Sequence, residues 1–170
     1  MNRPRKPLLP TVITVVADAV VRKIFGGQPG EEAGPLPGQN RQGLAEKLLV
    51  YGVCVEEWLS AALSIRDLGG RAARLHGHDY KVVLCVEGEL KSGVVVDHEI
   101  LHGILKECVD PFDYSFLNET LGSDNASAEE VARALLDCVV QHLPQGLIPV
   151  LMAVCTPRGR CSYIRLKGLE

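Results

Sequence analysis

The order of its elements constrains this chain most. Between Leu48 and Lys167, two β-rich runs come first, two amphipathic helices follow, and two more β-rich runs close the segment. Leu48 to Ala61 is dense in β-branched and aromatic residues and reads as a strand. A loop containing Gly69-Gly70 separates it from a second strand, Tyr80 to Glu87. Gly88 to Gly93 is a turn, and Val94-Val95-Val96 a short extended piece. Asp97 has the chemistry of a helix N-cap, and Ile100, Leu101, Ile104, Leu105 and Cys108 recur at helical spacing until Pro111. Ser127-Ala128-Glu129-Glu130 is a capping box, after which Val131, Leu135, Cys138 and Val139 continue one apolar face as far as Pro144. Leu147 to Thr156 and Cys161 to Lys167 are two further strands, joined by a turn at Pro157-Arg158-Gly159.

Helix and strand do not alternate, which argues against a parallel doubly wound sheet. The expected fold is α+β: an antiparallel four-stranded sheet with two helices on one face. Such a sheet has two edges of unpaired amides and carbonyls, and oligomerisation through those edges is the expected remedy.

At 170 residues there is room for one domain and an extension. Residues 1–46 form that extension, because Gly26 to Gly38 is too rich in Gly and Pro to hold a regular element. Thr11 to Phe25 fits a helix or a strand, and its periodicity does not decide. Residues 47–170 form the domain. Met1 to Pro7 is basic and Leu8 to Val21 apolar, but Asp18 and the lack of an Ala-x-Ala site argue against a signal peptide. No apolar run approaches the roughly 18 residues needed to span a bilayer, so a cytoplasmic location is expected. A net charge of −3 gives no electrostatic reason to expect a nucleic acid or membrane partner.

The six cysteines lie mostly inside apolar runs without a Cys-x-x-Cys pair, and read as small core residues in a reducing compartment. Cys155 and Cys161 flank the last turn and face each other across a hairpin. Their spacing permits a disulfide, against which stands the rarity of cytosolic disulfides.

The most informative triplet is His76-Gly77-His78. In a strand, residues two apart share a face, so both imidazoles can converge on one metal while the glycine keeps the backbone slim. Alone, two histidines also fit a pair of half-exposed strand residues, since zinc sites take at least three protein ligands.

The wider context decides between these. Trp58-Leu-Ser-Ala-Ala-Leu63, Gly70-Arg-Ala-Ala-Arg-Leu-His-Gly-His-Asp-Tyr80, Gly93-Val-Val-Val-Asp97, Phe112-Asp-Tyr-Ser-Phe-Leu-Asn-Glu119 and Ala126-Ser-Ala-Glu129 occur in an order and spacing that resemble the 6-pyruvoyltetrahydropterin and 6-carboxytetrahydropterin synthase family, over about residues 47–167. The resemblance implies a tunnelling fold, in which the sheets of three subunits close into a barrel and two trimers stack into a hexamer with active sites between subunits. It also implies zinc as cofactor, held by three histidines. Two of these fall on His76 and His78, and the third falls on Leu63, which cannot ligate. Asp79, His98 and His102 are nearby substitutes by residue type, although the last two belong on the exposed face of the first helix.

Further site positions carry over in the same way. The family's catalytic cysteine falls on Ala72, and its Asp-His pair on Asp113 and Tyr114. Its pterin-anchoring Glu-Thr pair falls on Cys155 and Thr156, and Ser127 and Glu129 match a Thr-x-Glu segment that also binds substrate. The capping box explains Ser127 equally well, and a first-turn acid favoured by the helix dipole explains Glu129. Arg71 and Arg74 flank the histidines, where they fit contacts to a triphosphate, though a solvated surface position is the simpler reading.

Four replacements therefore fall on the metal, the base, its relay and the pterin anchor. The expected function is a non-catalytic or repurposed oligomer, trimer or hexamer, binding a pterin or purine-like small molecule. The alternative is a zinc-dependent carbon-oxygen lyase acting on 7,8-dihydroneopterin triphosphate through rearranged groups. A weaker third is a purine-binding tunnelling-fold protein of another chemistry.

Overall fold

A computed structural model describes residues 49–166 of the chain, so the Thr11–Phe25 segment and the Gly26–Gly38 linker lie outside the described residues. Strands β1 (Tyr51–Leu63), β2 (His76–Gly88), β3 (Ile148–Cys155) and β4 (Cys161–Arg165) form one antiparallel sheet in sequential order. Helices α1 (His98–Val109), α2 (Leu117–Leu121) and α3 (Ala128–His142) occupy the connection between β2 and β3. The α+β architecture read from the order of elements is the one observed.

Alternation sets which face is buried. Val55, Leu59, Ala61 and Leu63 of β1 stand opposite Leu84, Tyr80, His78 and His76 of β2, and directly opposed residues share a face. That face carries Leu59, Val82, Leu84, Val86 and Met152, which meet Leu101 and Leu105 of α1 and Leu135 and Val139 of α3 in one core. α1 packs on β1, while α3 packs on β3 and β4. A buried leucine of this kind contributes about 1.5–3 kcal/mol by leaving water.

Both long helices are capped as their sequences require. The Asp97 side chain accepts from the Glu99 amide at 2.8 Å, and the Ser127 hydroxyl accepts from the Glu130 amide at 3.2 Å. The reciprocal half of the expected capping box is not formed, because the Ser127 amide donates to the Asn125 carbonyl instead.

Three expectations are corrected and one helix is added. β2 begins at His76 rather than Tyr80, so the whole His-Gly-His triplet lies inside the strand. Val94–Val96 is not extended throughout: Val94 makes one isolated bridge with Lys91, and the chain bends at Val95 and Val96. The short α2 follows Phe116 and stops at Gly122, whose φ of 63° is the left-handed conformation glycine adopts cheaply. Lastly, the cysteines are not free core thiols: Cys54–Cys85, Cys108–Cys138 and Cys155–Cys161 are disulfides. The first and third join residues paired across neighbouring strands, and the second ties α1 to α3.

Candidate functional site

The start of β2 projects His76, His78 and Tyr80 to the helix side of the sheet and Gly77 and Asp79 to the other. The two imidazole rings lie side by side, centroids 5.1 Å apart, and Tyr80 follows at 5.2 Å from His78. A 200 Å³ pocket opens here, where the N-terminus of α3 meets the ends of β2, β3 and β4. His76, His78, Tyr80, Glu129, Thr156, Arg160 and Ser162 supply its polar groups.

Hydrogen bonding tunes these groups. The Arg74 carbonyl lies 2.7 Å from His76 Nδ1; a carbonyl only accepts, so Nδ1 carries the proton and the Nε2 lone pair is left over. Burial, then repulsion by His76 and Arg158, lowers the pKa of His78, partly opposed by Asp79. Glu129 Oε1 accepts from the Ser162 hydroxyl at 2.8 Å. That bond, its own backbone amide and the Ser127 hydroxyl hold the carboxyl below its usual range, against the effect of burial. Burial and the charge of Glu129 push Tyr80 up to about 12, which keeps the phenol protonated.

Whether these residues fit a zinc ion depends on a third donor. Leu63, paired with His76 in the register, is 1% exposed and packed in the core, so hydrocarbon stands where a ligand is needed. His102 is engaged elsewhere, with Nε2 3.0 Å from Glu57 Oε2, and His98 is exposed. Among the described residues, the group of three His, Cys, Asp or Glu side chains close enough to share an ion is Cys108, Cys138 and His142, away from this pocket. Two imidazoles from one chain do not make the three-ligand zinc site.

A second, open cleft of 410 Å³ borders His78 and is lined by Ser60, Ala62, Gly77, Asp79, Tyr114 and Ser115. Asp113 Oδ1 accepts from the Ser60 amide at 2.8 Å, and the Tyr114 amide donates to the Ser60 carbonyl at 2.7 Å. The segment is thereby stitched to the outer edge of β1. Tyr114 has a φ of 52° and a side chain pointing into solvent, 90% exposed. Tyr114 and His78 thus share a cleft, whereas Glu129 and Thr156 lie in the pocket on the helix side.

The remaining positions are occupied as follows. Ala72 offers a methyl group, and its carbonyl accepts from the Ile65 amide at 2.8 Å. Cys155 stands opposite Lys81 on the helix-free face, 4% exposed and bonded to Cys161. Thr156 spends its hydroxyl within the last turn, where the Arg160 amide donates to it at 3.3 Å. Ser162 was not singled out from sequence; its only signal is that, as a strand residue, it shares the helix-side face with Ile164.

Comparisons with known proteins agree with this picture. The chain is 29% identical over 94 residues to the dihydroneopterin monophosphate aldolase of Pyrococcus furiosus, covering 55% of this chain and 68% of that protein. It is 28% identical over 120 residues to the 6-carboxy-5,6,7,8-tetrahydropterin synthase of Haemophilus influenzae, covering 55% and 84%. Among solved structures, the Caenorhabditis elegans 6-pyruvoyl tetrahydropterin synthase superposes with a TM-score of 0.62 at 18% identity, covering 70% of this chain and 97% of that one. The Plasmodium falciparum 6-pyruvoyl tetrahydropterin synthase superposes with a TM-score of 0.56 at 18% identity, covering 69% and 99%; at such identity the likeness is one of fold. Residues 52–163 match the family described as 6-pyruvoyl tetrahydropterin synthase, and the chain belongs to that family.

Proposed function

We propose that this chain is a non-catalytic or repurposed member of its family, which keeps the sheet-and-helix scaffold and a small-molecule pocket and binds a pterin or purine-like ligand. The observation that carries this reading is Leu63, packed at 1% exposure opposite His76. It leaves the histidine pair one ligand short of a zinc site. Two further replacements support it. Ala72 has no proton to move, and Cys155 sits in a disulfide where a glutamate would accept hydrogen bonds from a pterin ring.

The groups that remain are binding groups. Glu129 is held as a carboxylate and Tyr80 as a phenol, so with Arg160 the pocket presents a charged acceptor beside a neutral and a charged donor, suited to a ring with amino, imino and carbonyl groups. The same arrangement allows His76 and His78 to accept from a ligand or to carry a weakly held ion. Strand β4 and the part of β1 before Ser60, where the Asp113–Phe116 segment takes over the edge, are open to pairing with other copies, which supports a trimer or hexamer.

The test is metal analysis of the purified, oxidised protein, followed by incubation with 7,8-dihydroneopterin triphosphate. Substoichiometric zinc and no triphosphate release are expected. One zinc per chain at His76 and His78 together with triphosphate release would overturn the reading in favour of a carbon-oxygen lyase.

A further inference from the structure

Cys108 and Cys138 do more than tie two helices together, because a third potential ligand stands beside them. Cys108 is the penultimate residue of its helix core, 1% exposed. Cys138 and His142 are spaced i, i+4 over the last turn of α3. The Cys138 sulfur and His142 Nδ1 are 3.9 Å apart, and ligand atoms of all three side chains lie within 4.8 Å of one another. Zinc bonds of roughly 2.3 Å to sulfur and 2.0 Å to nitrogen hold ligand atoms about 3.5–4 Å apart, so the two sulfurs, bonded to each other in the disulfide, must part on reduction while the histidine closes on the ion.

The surroundings favour a cation. The disulfide joins the last turn of α1 to the last turn of α3, so the negative ends of two helix dipoles converge there. Two thiolates and a neutral imidazole are the soft and borderline donors that zinc-class ions select. The Cys138 carbonyl, 2.8 Å from His142 Nδ1, accepts a hydrogen bond from that nitrogen, so in the neutral ring Nε2 carries the lone pair and the exposed ring turns to bring Nε2, rather than Nδ1, to the sulfurs.

We propose that, once reduced, Cys108 and Cys138 join His142 to bind one divalent zinc-class ion, and that reclosure of the disulfide by exchange with an oxidised dithiol, which takes up the two electrons, releases it. The step balances with a dithiol reductant. Two electrons and two protons pass to the Cys108–Cys138 bond, which breaks into two thiols, while the dithiol becomes a disulfide. Metal binding then displaces both thiol protons to solvent, and water fills the fourth position. Half-buried Cys138 and exposed His142 can turn to meet the ion, whereas Cys108 is fixed by the core. This site is separate from the histidine pair of β2 and does not depend on the function proposed for that pocket.

Cobalt(II) is the probe, since it takes zinc geometry and shows sulfur ligation as a charge-transfer absorption. The full chain is titrated before and after anaerobic reduction by a phosphine, which leaves no competing thiol. One cobalt per chain with the sulfur band, seen only in the reduced protein, is expected. Cys138→Ser should abolish the band, and His142→Asn should shift it and weaken binding at least tenfold. The Cys138→Ser variant is checked by circular dichroism, and His142→Asn keeps the test decisive if it does not fold. Absence of the band in the reduced protein overturns the proposal. So does a band that survives Cys138→Ser unchanged, or one that His142→Asn leaves unaltered.

Discussion

Glu129 at the start of α3 accepts a 2.8 Å hydrogen bond from Ser162 on β4, joining the helix layer to the last strand across the mouth of the histidine pocket. The carboxyl is held below its ordinary range mainly by this bond. A lowered folded-state pKa contributes stability that is present above the unfolded value and lost as the pH falls through the folded one. Ser162→Ala should therefore raise the Glu129 pKa, read by NMR titration. The stability difference between wild type and variant should be constant near neutrality and shrink in the acid range. A Glu129 pKa unmoved by the substitution would show that the hydroxyl is not the cause.

Leu63→His should supply the missing third imidazole. Without metal the variant should lose about 1–3 kcal/mol, because a polar ring replaces a buried aliphatic side chain without a guaranteed partner. With zinc it should recover that stability and retain one ion per chain through gel filtration, where the oxidised wild type does not. A variant that binds zinc no better than wild type would mean that the β2 histidines do not aim at the position Leu63 fills.

The three disulfides should rank by the length of chain they close. Cys54–Cys85 and Cys108–Cys138 span 31 and 30 residues, against 6 for Cys155–Cys161. Loop-closure entropy assigns the longer two about 3–4 kcal/mol each and the shortest about 2 kcal/mol. Serine pairs at 54 and 85 should lower the urea midpoint more than serine pairs at 155 and 161. The reverse order would show that interactions in the folded state, and not chain entropy, dominate.

Tyr114→Gly should stabilise the fold by about 1 kcal/mol. Tyr114 holds a φ of 52° with a solvent-exposed ring, so glycine removes left-handed strain and loses almost no packing. Denaturant titration measures this directly. A destabilised variant would mean that the ring makes a contact in solution, as in an assembly of several copies.

The strands and long helices were legible because each has a clean period and a stop signal: Asp97 and Ser127 cap where their side chains predict. The beginning of β2 was not, since Gly77 and Asp79 are poor strand formers and only pairing with Ala62 and Ser60 extends the ladder to them. Cysteine pairing was hidden for a related reason. Cys54 and Cys85 read as ordinary apolar positions, and only the register between two strands sets them opposite each other. The site was legible as residues rather than as geometry. His76 and His78 do share a face, but the Asp113 link to Ser60 spans 53 positions, and alternation with Ile164 marks only the face of Ser162, not its partner.

The Cys108–Cys138 bridge fastens the helix layer at one end only. At the opposite end of α3, Ser127 and Glu129 depend on hydrogen bonds of 3.2 Å and 2.8 Å, which open far more readily than a covalent bond. Amide exchange along α3 should thus be fastest at the pocket and slowest at the bridge, so that fluctuations of the layer are concentrated where a ligand would enter.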